Sequence, residues 1–230
     1  MRQITEYLST KVAKPSIVKA TNKTIKRIVR NELDRLGHDA DLNHIDVSKV
    51  TIMDSLFCCA DEDLGPKYND LNPDISKWNV SNVEDMKFIF YECMNFNSDI
   101  SQWDVSKVET THSMFYRCKK FNSDISLWDV SNVEDMYGMF FECYDFNQNI
   151  SNWNVSKVKH MRSMFYNCEN FNQDLSRWEV SNVITTNYMF ANCKKFNQDL
   201  SKWDMSKVQD NDRMFYECPI KEEFKPKFKK

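Results

Sequence analysis

Glycine occurs only 3 times in 230 residues. That scarcity excludes a Gly-rich linker or low-complexity tail, and it leaves no Gly-rich loop to cradle phosphates. No run approaches the roughly 18–20 apolar residues that span a bilayer as a helix. The opening stretch Met1-Arg2-Gln3-Ile4-Thr5-Glu6-Tyr7-Leu8 lacks the apolar core of a signal peptide, so a cytoplasmic location is expected. Histidine occurs 4 times, as His38, His44, His112 and His160, with no His or Cys pair at metal-ligand spacing. No nucleophile elbow of G-x-S-x-G type appears. A non-enzymatic chain without cofactor or metal is therefore expected.

What the chain does have is repetition. Trp78, Trp103, Trp128, Trp153, Trp178 and Trp203 are each 25 residues apart, and Cys93, Cys118, Cys143, Cys168, Cys193 and Cys218 keep the same step. A fixed period of this length is the signature of stacked units, each burying its apolar face against its neighbours. The expected organisation is an N-terminal cap (1–40), seven units of about 25 residues (41–220) and a basic tail (221–230). Cysteines on one uniform ladder give no reason to pair one neighbour over another, so buried reduced thiols are expected.

Within the unit Phe96–Lys120, Asp99–Val105 alternates and reads as a strand. Ile100 and Trp103 are three apart, so either the strand ends before Trp103 or a bend returns the ring inward. Met114, Phe115 and Cys118 suit one helical turn facing the core. The Ile/Leu row from Ile75 to Leu200, the Val row from Val83 to Val208, and the Phe rows Phe90–Phe215 and Phe96–Phe196 are the expected core. Three polar rows run beside them. Asn72 to Asn197 suits the corners, Asp74 to Asp199 suits solvated or capping carboxylates, and Ser81 to Ser206 suits turn caps.

The first unit is degenerate: Ile45 replaces Trp, and an insert at 61–70 containing Gly65-Pro66 is expected to be an exposed loop. Ahead of it, Ile25, Ile28, Val29, Leu33 and Leu36 share one face of a helix over Thr24–Leu36, stopped at Gly37. Charge is uneven. Residues 41–220 carry a net −11, from 17 Lys/Arg and 28 Asp/Glu, which disfavours nucleic acid along the body. The positions that vary most between units include Phe88, Tyr137, Arg162, Tyr188 and Arg213. They form the candidate protein-contact face, since aromatic and Arg side chains concentrate at binding hot spots.

The phrase F-N-x-D-[IL]-S-x-W-[DNE]-V-S-[NK]-V-x-x-M-x-x-M-F-x-x-C, over residues 41–218, resembles the 25-residue repeat of unknown function of Mycoplasma lipoproteins. That repeat also occurs in bacterial and giant-virus proteins and is related to BspA-like leucine-rich repeats. The resemblance implies an α+β, right-handed leucine-rich-repeat-like solenoid of strand-plus-short-helix units. Thr111, Thr186 and Asn211 depart from the Met of the V-x-x-M step. The leading expectation is a monomeric, non-enzymatic protein-protein interaction scaffold. Its alternatives are a surface or virion-associated adhesion module of BspA-like type and a Ca²⁺-dependent binding module using the Asp row.

Overall fold

The computed structural model describes residues 16–60, 68 and 70–228. Residues 25 apart lie against one another throughout the repeat region. Single parallel bridges join Asp85 to Thr110, Thr110 to Asp135, Asp135 to His160, His160 to Thr185 and Thr185 to Asp210. Each unit is thus laid on the next, and the first joins the stack through Asp41–Asp74 and Ile52–Asp85.

The strand and helical turn expected inside each unit are replaced by tight turns. Trp103 N–H closes on the carbonyl of Ile100, and Val108 N–H on that of Val105. The first of these turns is the bend that carries the Trp103 ring back inward, where only 3% of the residue is exposed. From Thr111 to Cys118 a helix is prevented by left-handed residues at Ser113 (φ 51°) and Arg117 (φ 59°). The backbone N–H groups of Thr111, Ser113, Phe115 and Arg117 then leave the unit and donate to the carbonyls of Asp135, Tyr137, Met139 and Phe141. Backbone donors here are satisfied by the next unit rather than by a helix, and this ties the units together.

The apolar rows fill the interior. Phe90, Phe96, Phe115, Phe121, Phe140, Phe146, Phe165, Phe171, Phe190 and Phe196 are fully buried. Their rings stack between units, as with Phe115 and Phe140 (centroids 5.7 Å apart) and Phe121 and Phe146 (5.9 Å). The rows loosen at the last unit, where Val208 and Phe215 are half-buried. The indole N–H of Trp128 donates to the carbonyl of Ile100, 3.1 Å away, and Trp103, Trp153, Trp178 and Trp203 repeat that bond. All eight thiols are free, and the Cys118, Cys143, Cys168 and Cys193 sulfhydryls each donate to the carbonyl of the Phe 28 residues earlier.

The polar rows finish the corners. Asn97 N–H donates to Asn72 Oδ1, and the same bond runs on through Asn122, Asn147, Asn172 and Asn197. In the Asp row, Asp99 and Asp124 accept from the N–H two residues on, as does Asn149. A further row alternates along the stack: Lys49, Asn82, Lys107, Asn132, Lys157, Asn182, Lys207. Lys107, Lys157 and Lys207 donate to the side-chain oxygens of Asn82, Asn132 and Asn182. Those Asn side chains in turn donate to the carbonyls of Ser48, Ser106 and Ser156. The alternation separates like charges that would otherwise sit about one strand spacing, ~4.8 Å, apart.

At the N-terminal end β1 (Val18–Lys19) pairs in parallel with β2 (Ile45–Asp46). Helix α1 (Ile25–Leu36) covers the core with Ile25, Val29 and Leu33 and ends at Gly37, φ 94°. Leu36 departs from the expected core face: it is the last residue of the helix and is 45% exposed. Most of the 61–70 insert and residues 1–15 lie outside the described residues. Tyr68, expected in an exposed loop, is instead buried, with its carbonyl accepting from the Cys59 thiol and its hydroxyl donating to Asp34. A short 3₁₀ helix, Glu222–Phe224, closes part of the other end, where Leu200 N–H donates to the carbonyl of Phe224.

Candidate protein-contact face

The turn segment that holds the units together also sets out the side chains on one outer face. Of its two left-handed positions, the first recurs in all seven units and the second in the last six. One series is Ser55, Phe88, Ser113, Gly138, Ser163, Tyr188 and Arg213, and the other is Glu92, Arg117, Glu142, Asn167, Asn192 and Glu217. A left-handed conformation costs a non-glycine residue about 1–2 kcal/mol. The first series is filled by small residues in the middle of the stack and by bulky ones at Phe88, Tyr188 and Arg213. A side chain at Gly138 would also meet Ser113 Oγ at 3.2 Å.

The five expected contact residues fall into two groups. Phe88 packs edge-on to His112 (5.1 Å), His112 stacks on Tyr137 (4.5 Å), and the guanidinium of Arg162 lies over Tyr137 at 5.7 Å. Tyr188 meets Tyr166 edge-on (6.4 Å), and Arg213 covers both Tyr188 and Tyr216 at 5.8 Å. Phe88, Tyr137 and Tyr188 are half-buried, and Arg162 and Arg213 are exposed.

A third row joins the two groups, and the reading of the sequence passed over it. Tyr91, Tyr116, Phe141 and Tyr166 stack face to face, 4.3 to 4.6 Å between centroids. Its signal was an aromatic residue at each of these steps of 25, hidden because the neighbouring Phe row dominates the pattern. The rings use their faces on one another, so edges and hydroxyls are what they offer to solvent. That geometry is unsuited to a platform on which bases stack, which needs open ring faces. Burial pushes the Tyr116 hydroxyl up to about 12, so it is neutral and keeps its proton to donate.

Charges on this face are mostly paired. Arg117 bridges Glu92 (2.8 Å) and Glu142 (3.2 Å), Lys87 meets Asp85 at 3.1 Å, and His112 meets Asp135 at 3.0 Å. Burial alone would raise the Asp135 pKa, but the bonds from His112 and from Tyr137 N–H outweigh it, and the net shift is downward. On the outer side of the Lys/Asn row, grooves of about 410 and 360 Å³ are lined by Glu84, Lys107, Glu109, Asn132, Glu134 and Lys157, and then by Lys159, Asn182, Ile184 and Lys207. Their walls are charged and open, unlike the mostly apolar cavities that hold small molecules. Among the described residues no group of three or more His, Cys, Asp or Glu is placed to hold a metal ion. No helix among them is long and apolar enough to cross a membrane.

Stacked units of one period, presenting an aromatic face rather than a cleft, define a repeat protein. The chain belongs to the family described as Mycoplasma protein of unknown function, DUF285, whose model matches residues 27–143 and 122–228. No curated protein and no solved structure matches it.

Proposed function

We propose that the stack is a leucine-rich-repeat-like solenoid acting as a non-enzymatic scaffold that binds another protein through its aromatic face. The observation that supports this most is the exposed edge of the Tyr91–Tyr166 row flanked by Phe88, Tyr137 and Tyr188. These rings are held by a buried core, so little side-chain freedom is lost when a partner docks. Phe88 and Tyr188 also occupy left-handed positions that serine or glycine fills in the middle units. Strain of this kind persists where something else favours the residue.

The test is a pull-down from native lysate, comparing the wild-type chain with a Phe88, Tyr137, Tyr188 triple-alanine variant of equal melting temperature. A protein partner held by the wild type and lost by the variant is expected. A partner held equally by both would overturn this choice of face.

A further inference from the structure

Four Lys or Arg side chains lie in the turn segments that build the aromatic face: Lys87, Arg117, Arg162 and Arg213. Three have a carboxylate within reach, with Arg213 3.8 Å from Asp212. For Arg162 no ion pair is present among the described residues, although the repeat region is strongly acidic. Its guanidinium instead lies over the Tyr137 ring, 5.7 Å from the centroid. An arginine stacked on an aromatic ring keeps its planar edge of N–H donors outward, in the geometry that matches a carboxylate.

The next unit adds a second observation. Asn187 follows Arg162 at the same repeat position, and Ser163 N–H donates to the Asn187 carbonyl. Asn187 is buried, 5% exposed, and carries no charge. The turn segment 186–193 that holds it carries no charged side chain. The ground around Arg162 is therefore the part of the face where a negative charge meets least repulsion. On its other side the nearest carboxylates, Asp135 and Glu142, are already taken by His112 and Arg117.

We propose that Arg162 is the anchor for an acidic partner, an extended segment whose carboxylate pairs with the guanidinium while its neighbouring side chains lie along the Tyr137 and Tyr166 edges. This rests on the scaffold reading and names the chemistry of its partner.

The probe is a fluorescein-labelled peptide of alternating Glu and Thr, with a Lys/Thr peptide of equal length as its counterpart, measured by polarisation at physiological salt. The Glu peptide is expected to bind the wild-type chain and to weaken about tenfold or more with Arg162→Gln. Lys194→Gln, which removes a cation paired with Glu217 elsewhere on the surface, should leave binding unchanged. Arg162 is exposed, so its variant should keep the wild-type melting temperature. No binding of the Glu peptide, equal binding to Arg162→Gln, or tighter binding of the Lys peptide would each overturn the proposal. A lysate partner lost by the triple-alanine variant but kept by Arg162→Gln would overturn it too, while leaving the scaffold reading in place.

Discussion

Replacing Phe140 by alanine is expected to destabilise the fold by about 3–5 kcal/mol, the range for removing a large aromatic from a packed core. Phe140 is fully buried at the centre of the stack. Its ring lies between Phe115 and Phe165, 5.7 and 5.6 Å away, against Phe146 at 4.0 Å and near Trp153 at 6.3 Å. Rings from the units before and after line the resulting hole. Each is fixed by its own stacking partner, so the site collapses poorly and the cavity cost is high. Phe215→Ala makes the matched comparison. Among the described residues that ring stacks only on Phe190, and it is half-buried, so its removal should cost clearly less. Denaturant unfolding of the two variants checks the order, and equal losses would contradict a core that tightens toward the middle of the stack.

The second large effect concerns the thiols. Burial pushes the Cys93, Cys118, Cys143, Cys168 and Cys193 thiols well up, and Cys218 up to about 11. Only the thiolate reacts with an alkylating reagent. In the folded chain at pH 8, Cys58 and Cys218, both half-buried, should be labelled first. The five fully buried thiols should react about 100-fold or more slowly, because they must wait for the stack to open. Denaturant should bring all eight to similar rates. Mass spectrometry of iodoacetamide-labelled peptides reads the ratio, and native labelling of Cys143 as fast as Cys58 would contradict the placement.

The rows of the core were legible because a strict period leaves nothing else for them to do. Every Phe, Val and Ile/Leu assigned to the interior between Ile75 and Leu200 is buried. The Asn corners were equally legible, since a polar residue repeated at a bend must serve the backbone there. Local backbone form was not. Met114, Phe115 and Cys118 fit a helical turn by spacing, yet Ser113 and Arg117 are left-handed. Nothing in a serine or an arginine announces that conformation, which contacts between units impose. Only Gly138, in one unit of the series, hinted at it.

The face was partly legible. Phe88, Tyr137, Arg162, Tyr188 and Arg213 stood out because they differ between units. The Tyr91–Tyr166 row joins them because it does not differ, and a search for variation passes over it. Tyr68 was missed for another reason. It lies in an irregular insert with no period to read, although its aromatic character suited the buried place it takes against the cap.

The central claim is that each unit is supported by its neighbours rather than by the chain as a whole. Its most direct test is the thermal melting of two excisions. Removing residues 122–171 takes out two full periods, rejoins Phe121 to Asn172, and leaves the Lys/Asn alternation intact, with Lys107 followed by Asn182. Removing residues 122–159 takes out one and a half periods and brings mismatched faces together. The first variant should remain folded and melt cooperatively, as a shorter stack, while the second should not fold. Loss of folding in both, or equal tolerance of both, would contradict a stack built from interchangeable units.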